Sequence, residues 1–124
     1  MNTKFLMTSI FTVLLAVIAF SGTKVSAQTD QIVGGYGDIS VNSKDARRAA
    51  ETAISSRSNR TGKKITLIRI KKAEQQVVAG LNNRVCMSVR EGRHKPYTVT
   101  AVVYQDLKKK RVLSKWKRGT CSDI

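Results

Sequence analysis

The chain has 124 residues, with 23 Lys and Arg against 8 Asp and Glu, a formal net charge of +15. That length holds one domain around one modest core and leaves no room for a second. The charge favours anionic partners, and two cysteines with a single histidine exclude a many-ligand metal centre.

Residues 1–27 read as an export signal, with Lys4 near the start, an apolar run over residues 5–20, and Val25-Ser26-Ala27 as a small-x-small cleavage site. The apolar run falls short of the ~20 residues that span a bilayer and ends in small polar residues, which favours a cleaved signal over an anchor. The expected organisation is a signal peptide over 1–27 and one domain over 28–124, secreted from the cell, or periplasmic in a bacterium. The signal holds Lys4 and Lys24 and no acid, so nearly all of the positive excess belongs to the mature part.

Residues 28–39 are glycine-rich and read as irregular. Asn42 or Ser43 then offers a helix cap, because Ala46, Ala49, Ala50, Ala53 and Ile54 follow at the spacing of one helical face. Lys44, Arg47, Arg48, Glu51 and Ser55 fall on the other face. The predicted helix has about four turns, and its shallow alanine stripe suits close packing on a sheet. Serine, asparagine and glycine between Ser55 and Gly62 are expected to end it.

Four strands are predicted beyond the helix, over residues 64–72, 77–90, 97–105 and 111–117. Residues 91–96 and 106–110 are polar links of hairpin length, so their neighbours should run antiparallel. Ile65 and Leu67 alternate against Ile68 and Ile70, which implies apolar groups on both faces of the first strand. With one helix available to cover it, the economical architecture is α+β, a sheet gripping one helix. Trp116 reads as core or sheet surface within the last strand.

Cys86 and Cys121 are expected to oxidise in an exported chain. A meander would put another strand between them, and strands two apart lie ~9.6 Å from each other, too far for a disulfide. Either residues 118–124 fold over the sheet or its end to bring the pair together, or the thiols pair between chains.

No catalytic constellation can be assembled. His94 stands beside Pro96 in a polar turn and reads as solvated, and Asp123 belongs to a tail, so no Ser/His/Asp arrangement is available. Gly34-Gly35-Tyr36-Gly37 lacks the strand-before, helix-after context of a phosphate loop. The expected protein is not an enzyme and uses no cofactor or metal. It also has no reading helix, zinc module or aromatic stacking series for sequence-specific nucleic-acid binding.

Gln76-Val77-Val78-Ala79-Gly80, continuing into Leu81-Asn82, resembles the Gln-x-Val-x-Gly motif of the cystatin family, where Gly-Val-Asn is usual at its end. Ile32-Val33-Gly34-Gly35 resembles the family's apolar pair before glycine, and the amphipathic helix lies between the two at the family's distance. The resemblance covers nearly the whole mature chain. It implies a cystatin-like antiparallel β-sheet wrapped around one long α-helix, and inhibition of papain-like, cathepsin-type cysteine proteases by an apolar wedge inserted in the active-site cleft.

In that wedge Ile32 and Val33 resemble residues that fill substrate-side pockets, and Gly34-Gly35 bends the chain away from the catalytic cysteine. Val77, Val78 and Ala79 form a tip with little rotamer freedom to lose, and Gly80 allows a turn or a close backbone approach. Asp106, Leu107 and Lys108 correspond to the family's second loop.

The sequence departs from the family at three places. The Pro-Trp pair of many cystatins is missing from residues 104–111. An interface tryptophan often contributes ~2–4 kcal/mol, so its loss implies binding weaker by tens to several hundredfold, or selectivity for proteases with acidic rims. One disulfide replaces the two common in secreted animal cystatins. Ser58-Asn59-Arg60-Thr61 lies where some cystatins carry a legumain-binding Ser-Asn-Asp loop, but Arg60 stands in place of the aspartate. Asn59-Arg60-Thr61 is also a glycosylation sequon in a eukaryotic secretory route.

A second reading rests on charge: a non-inhibitory scaffold whose Lys108-Lys109-Lys110-Arg111 run, with Lys115, Lys117 and Arg118, binds anionic polymers or microbial membranes. Such binding fades steeply with salt, whereas apolar wedge binding survives it.

Overall fold

A computed structural model describes residues 34–122. Residues 1–27, expected from sequence to be a signal peptide, and Ile32 and Val33 lie outside the described residues. The elements in chain order are β1 (Tyr36–Ile39), α1 (Lys44–Thr61), β2 (Ile65–Val78), β3 (Gly80–Glu91), β4 (Tyr97–Gln105) and β5 (Arg111–Arg118). They form one antiparallel meander in the order β1-β2-β3-β4-β5, with α1 packed on one face.

The helix begins where Ser43 Oγ accepts the Ala46 amide at 3.1 Å, with Asp45 in the first turn where the helix dipole favours an acid. Ala46, Ala49, Ala50 and Ala53 are fully buried, and their small side chains let the helix axis sit close to the sheet. Against them stand Val85, Met87 and Val89 of β3 and Val99, Ala101 and Val103 of β4. These apolar residues, β-branched or small except for Met87, recur at every second position, the period of a strand with one face on a core.

The helix outlasts its predicted end. It spans 18 residues and stops only at Gly62, whose φ of +67° places it in the left-handed region and whose amide donates to Ser58 O at 2.9 Å. Ser58, Asn59, Arg60 and Thr61 are therefore its last turn rather than a loop. The polar residues are held there by tertiary contacts: the Arg57 guanidinium lies 5.7 Å from the centre of the Trp116 ring, and Ser58 Oγ accepts the Ile65 amide. Trp116 is half-buried on the helix-facing side of β5, against the core.

The sheet differs from expectation in two ways. A fifth strand, β1, precedes the helix in a segment read as irregular, because residues 36–39 borrow regularity from the far end of β2. Strand β2 also runs unbroken to Val78, where a break after residue 72 was expected. Register shifts between Leu67 and Arg69 and between Ile70 and Lys72 reset its alternation. Ile65, Leu67 and Ile70 consequently all face the helix, while Ile68 is exposed.

The cysteines form an intramolecular disulfide with their Cα atoms 5.5 Å apart. β4 does lie between them, and the tail crosses it: past β5 the Gly119 amide donates to Thr98 O, and Cys121 reaches Cys86 on the outer face of the sheet, where Thr100 pairs with Cys86 and is buried.

Candidate functional site

The hairpin geometry sends the start of β1, the β2–β3 turn and the β4–β5 turn to one end of the sheet. Ala79 alone separates Val78 from Gly80, which are paired across the turn. Val77 is half-buried, and Val78 and Ala79 are exposed at the tip. The backbone of this tip is fixed by Tyr104, whose hydroxyl donates to Ala79 O at 2.5 Å. Gly80 has φ of +105°, and a Cβ there would overlap the Gln105 carbonyl oxygen, so only glycine meets both demands.

Gln76 ties the N-terminal segment to the same hairpin. Its Nε2 donates to Gly34 O at 2.8 Å, and its Oε1 accepts from Asn82 Nδ2 at 2.9 Å. Gly34 has φ of +102° and is exposed with Gly35. Behind this bridge the Arg84 guanidinium stacks 3.8 Å from the centre of the Tyr36 ring and binds the Glu74 carboxylate, which also accepts from Lys72 at 3.1 Å. The hydrogen bond from Arg84 holds the Glu74 carboxyl below the usual carboxylate range, despite the opposing effect of burial.

The second turn is organised by Asp106. Its carboxylate accepts the amides of Lys108 and Lys110, and its backbone accepts Lys109 N, which has φ of +65°. Asp106 thus shapes the loop from within. Leu107, 82% exposed, is its apolar crest, and Lys108, Lys109 and Lys110 surround it.

The described residues among those singled out from sequence, Gly34, Gly35, Gln76, Val77, Val78, Ala79, Gly80, Asp106, Leu107 and Lys108, therefore stand at one end of the sheet. Tyr104 was missed, since its part follows from cross-strand register (opposite Asn82) rather than from any motif. Residues 58–61, expected as a plain loop near the legumain-binding position of some cystatins, are instead the last turn of α1. His94 is exposed in the β3–β4 turn. Among the described residues no cluster of His, Cys, Asp and Glu could hold a metal.

A five-stranded antiparallel sheet closed on one helix, with three segments gathered at one end, is the cystatin fold. Residues 34–122 match the family described as Cystatin domain, and the chain belongs to the cystatin family. Among solved structures it is similar to a salivary cystatin from the soft tick Ornithodoros moubata, with a TM-score of 0.57 at 18% identity, covering 70% of this chain and 98% of that one. It is also similar to Al-CPI, with a TM-score of 0.53 at 17% identity over 69% of this chain and 100% of the other. At these identities the likeness concerns the fold. No curated protein sequence matches at a significant level.

Proposed function

We propose that this cystatin is a secreted, reversible inhibitor of papain-like cysteine proteases, acting by occupancy of the active-site cleft rather than by chemistry. The observation that carries the reading is the convergence of exposed, apolar, backbone-fixed tips, Val78-Ala79 on the first hairpin and Leu107 on the second, beside Gly34-Gly35. A tip already held by Tyr104 and Gln76 loses little freedom on binding, which favours affinity from a small contact. The disulfide suits an oxidising compartment.

In this reading Ile32 and Val33, upstream of Gly34, enter substrate-side pockets, a role that rests on the family resemblance. Leu107 supplies the apolar contact of the second loop. Full burial of a leucine contributes roughly 1.5–3 kcal/mol, less than a good interface tryptophan, so affinity below that of Pro-Trp cystatins is expected.

The test is a titration of active papain with the chain from Gln28 onward, at physiological and high salt, beside Val78→Asp and Leu107→Asp. Both side chains are exposed, so the variants should keep the fold. Salt-resistant inhibition that Val78→Asp abolishes and Leu107→Asp weakens supports the wedge; no inhibition at micromolar concentration refutes it.

A further inference from the structure

The basic residues are not spread evenly. On the outer face of the sheet, away from the helix, Arg69 of β2 pairs with Ser88 of β3, and Ser88 pairs with Thr98 of β4. Arg90 stands two residues beyond Ser88 on the same face, opposite Thr66. Lys71, displaced by a register shift, reaches across β3 so that its Nζ donates to Thr98 Oγ1 at 2.7 Å. At strand spacings of ~4.8 Å and ~6.6 Å per residue pair, three cations thus surround two hydroxyls on the outer face. Lys117, opposite Thr100, continues the row towards β5.

Acids are kept away from this spot. Among the described residues Asp38 and Glu74 pair in the wedge half of the sheet, Asp45 and Glu51 are on the helix, and Asp106 caps the second loop. Glu91 turns to the helix side, accepting from Tyr97 Oη at 2.6 Å and lying 3.6 Å from Lys63. Among the described residues, then, no carboxylate stands beside Arg69, Lys71 or Arg90, and an external anion would relieve their mutual repulsion.

We propose that the outer face around Ser88 and Thr98, with Arg69, Lys71 and Arg90, is a binding surface for a sulfated polysaccharide. Charge complementarity selects a polyanion, and the rest of the surface selects its kind. Among the described residues the exposed large apolar side chains Val78, Leu107 and Val112 stand at the wedge end, and Ile68, beside Arg69, is a single apolar group at this spot, too little apolar surface to anchor a protein in a bilayer. Tyr36 and Tyr104 are also at the wedge end, and Tyr97 and Trp116 are on the helix side, so among the described residues no aromatic stands at this spot to stack nucleic-acid bases. A linear polymer with repeated sulfates can lie along cations spaced across strands and leave the wedge in solvent. The contributing residues differ from the Lys108–Arg111 run that sequence pointed to, because those lysines project at the wedge end.

The experiment measures binding of a heparin octasaccharide by calorimetry at about 0.15 M salt. A triple variant, Arg69→Ser/Lys71→Ser/Arg90→Ser, is compared with Lys44→Ser/Arg47→Ser/Arg48→Ser, which removes the same charge from the helix exterior. The expected result is a loss of about tenfold or more for the sheet triple and less than about threefold for the helix triple, with a shallower salt slope for the sheet triple only. Arg69→Lys/Arg90→Lys should retain most of the binding, which separates charge from folding. Equal losses in the two triples, or tighter binding to phosphatidylserine vesicles or duplex DNA than to the octasaccharide, overturns the proposal. No protease enters the assay, so its outcome is independent of the inhibitory reading.

Discussion

Gly80 packs against the backbone of Gln105 so closely that the first hairpin tip and the root of the second loop share one surface. The consequence is mechanical: a side chain at residue 80 must part the two tips. Gly62 offers a control, since it also has positive φ but faces open space. Gly62→Ala should lose only the conformational cost, about 1 kcal/mol, whereas Gly80→Ala adds the clash and should lose roughly 2–3 kcal/mol. Urea unfolding measures both. Inhibition should fall with Gly80→Ala and hold with Gly62→Ala, because Gly62 closes the helix far from the tips.

Tyr104 should matter to the tip and little to the fold. Its hydroxyl makes one neutral hydrogen bond to Ala79 O at an exposed site, a contribution of ~0.5–1.5 kcal/mol. Tyr104→Phe is expected to lower the unfolding free energy by no more than about 0.5–1.5 kcal/mol, leaving the fold intact, and to raise the inhibition constant about two- to tenfold. An unchanged constant would mean that the tip is held by its strands alone.

Much of this arrangement is legible from residues that act locally. The alanine stripe of α1 announces itself through a 3.6-residue period, and Gln76–Gly80 through its motif. What stays hidden depends on partners remote in sequence. Tyr36–Ile39 has too few residues and too much glycine to read as a strand, yet Ala73 to Gln76 give it a ladder. Ser58 to Thr61 have poor helix propensity, but the Arg57–Trp116 stack and the Gly62 cap hold them. Ile68 misleads because strict alternation puts it in register with Ile70, and a bulge undoes that register. Tyr104 gains its part only once β4 is aligned on β3.

The disulfide should be a matter of stability more than inhibition. Cys86 and Cys121 are separated by 35 residues, and closing such a loop is worth about 4 kcal/mol in the chain-entropy account, often less in practice. Cys86→Ala/Cys121→Ala should lose roughly 2–4 kcal/mol in urea and free the tail from the outer face over Thr100. At temperatures where it remains folded it should inhibit as the parent does, since Cys86 lies in mid-strand, away from the tips.

Glu74 predicts the acid limb of the stability curve. Its folded carboxyl titrates below its ordinary value near 4.5, chiefly through Arg84. A lowered folded value adds stability that is present above the unfolded pKa and is lost as pH falls through the folded one. Glu74→Gln should therefore be less stable than the parent at neutral pH, with the gap narrowing steadily below about pH 4.5. Arg84→Met should show a similar loss at neutral pH, with an added cost from the Tyr36 stack. A gap independent of pH would assign Glu74 a packing role only.

Tyr97 sets the opposite limb. Burial, and then its hydrogen bond to Glu91, push the phenol up to about 12. A raised folded value gives stability that is complete below the unfolded pKa near 10 and is lost as pH rises towards the folded one. Absorbance near 295 nm should resolve one late-ionising tyrosine in the native protein, and Tyr97→Phe should remove that step alone. The parent's advantage over Tyr97→Phe in unfolding experiments should shrink between about pH 10 and 12. If the late step persists in Tyr97→Phe, the phenol does not hold its proton against Glu91, and the Tyr97–Glu91 contact does not control alkaline stability.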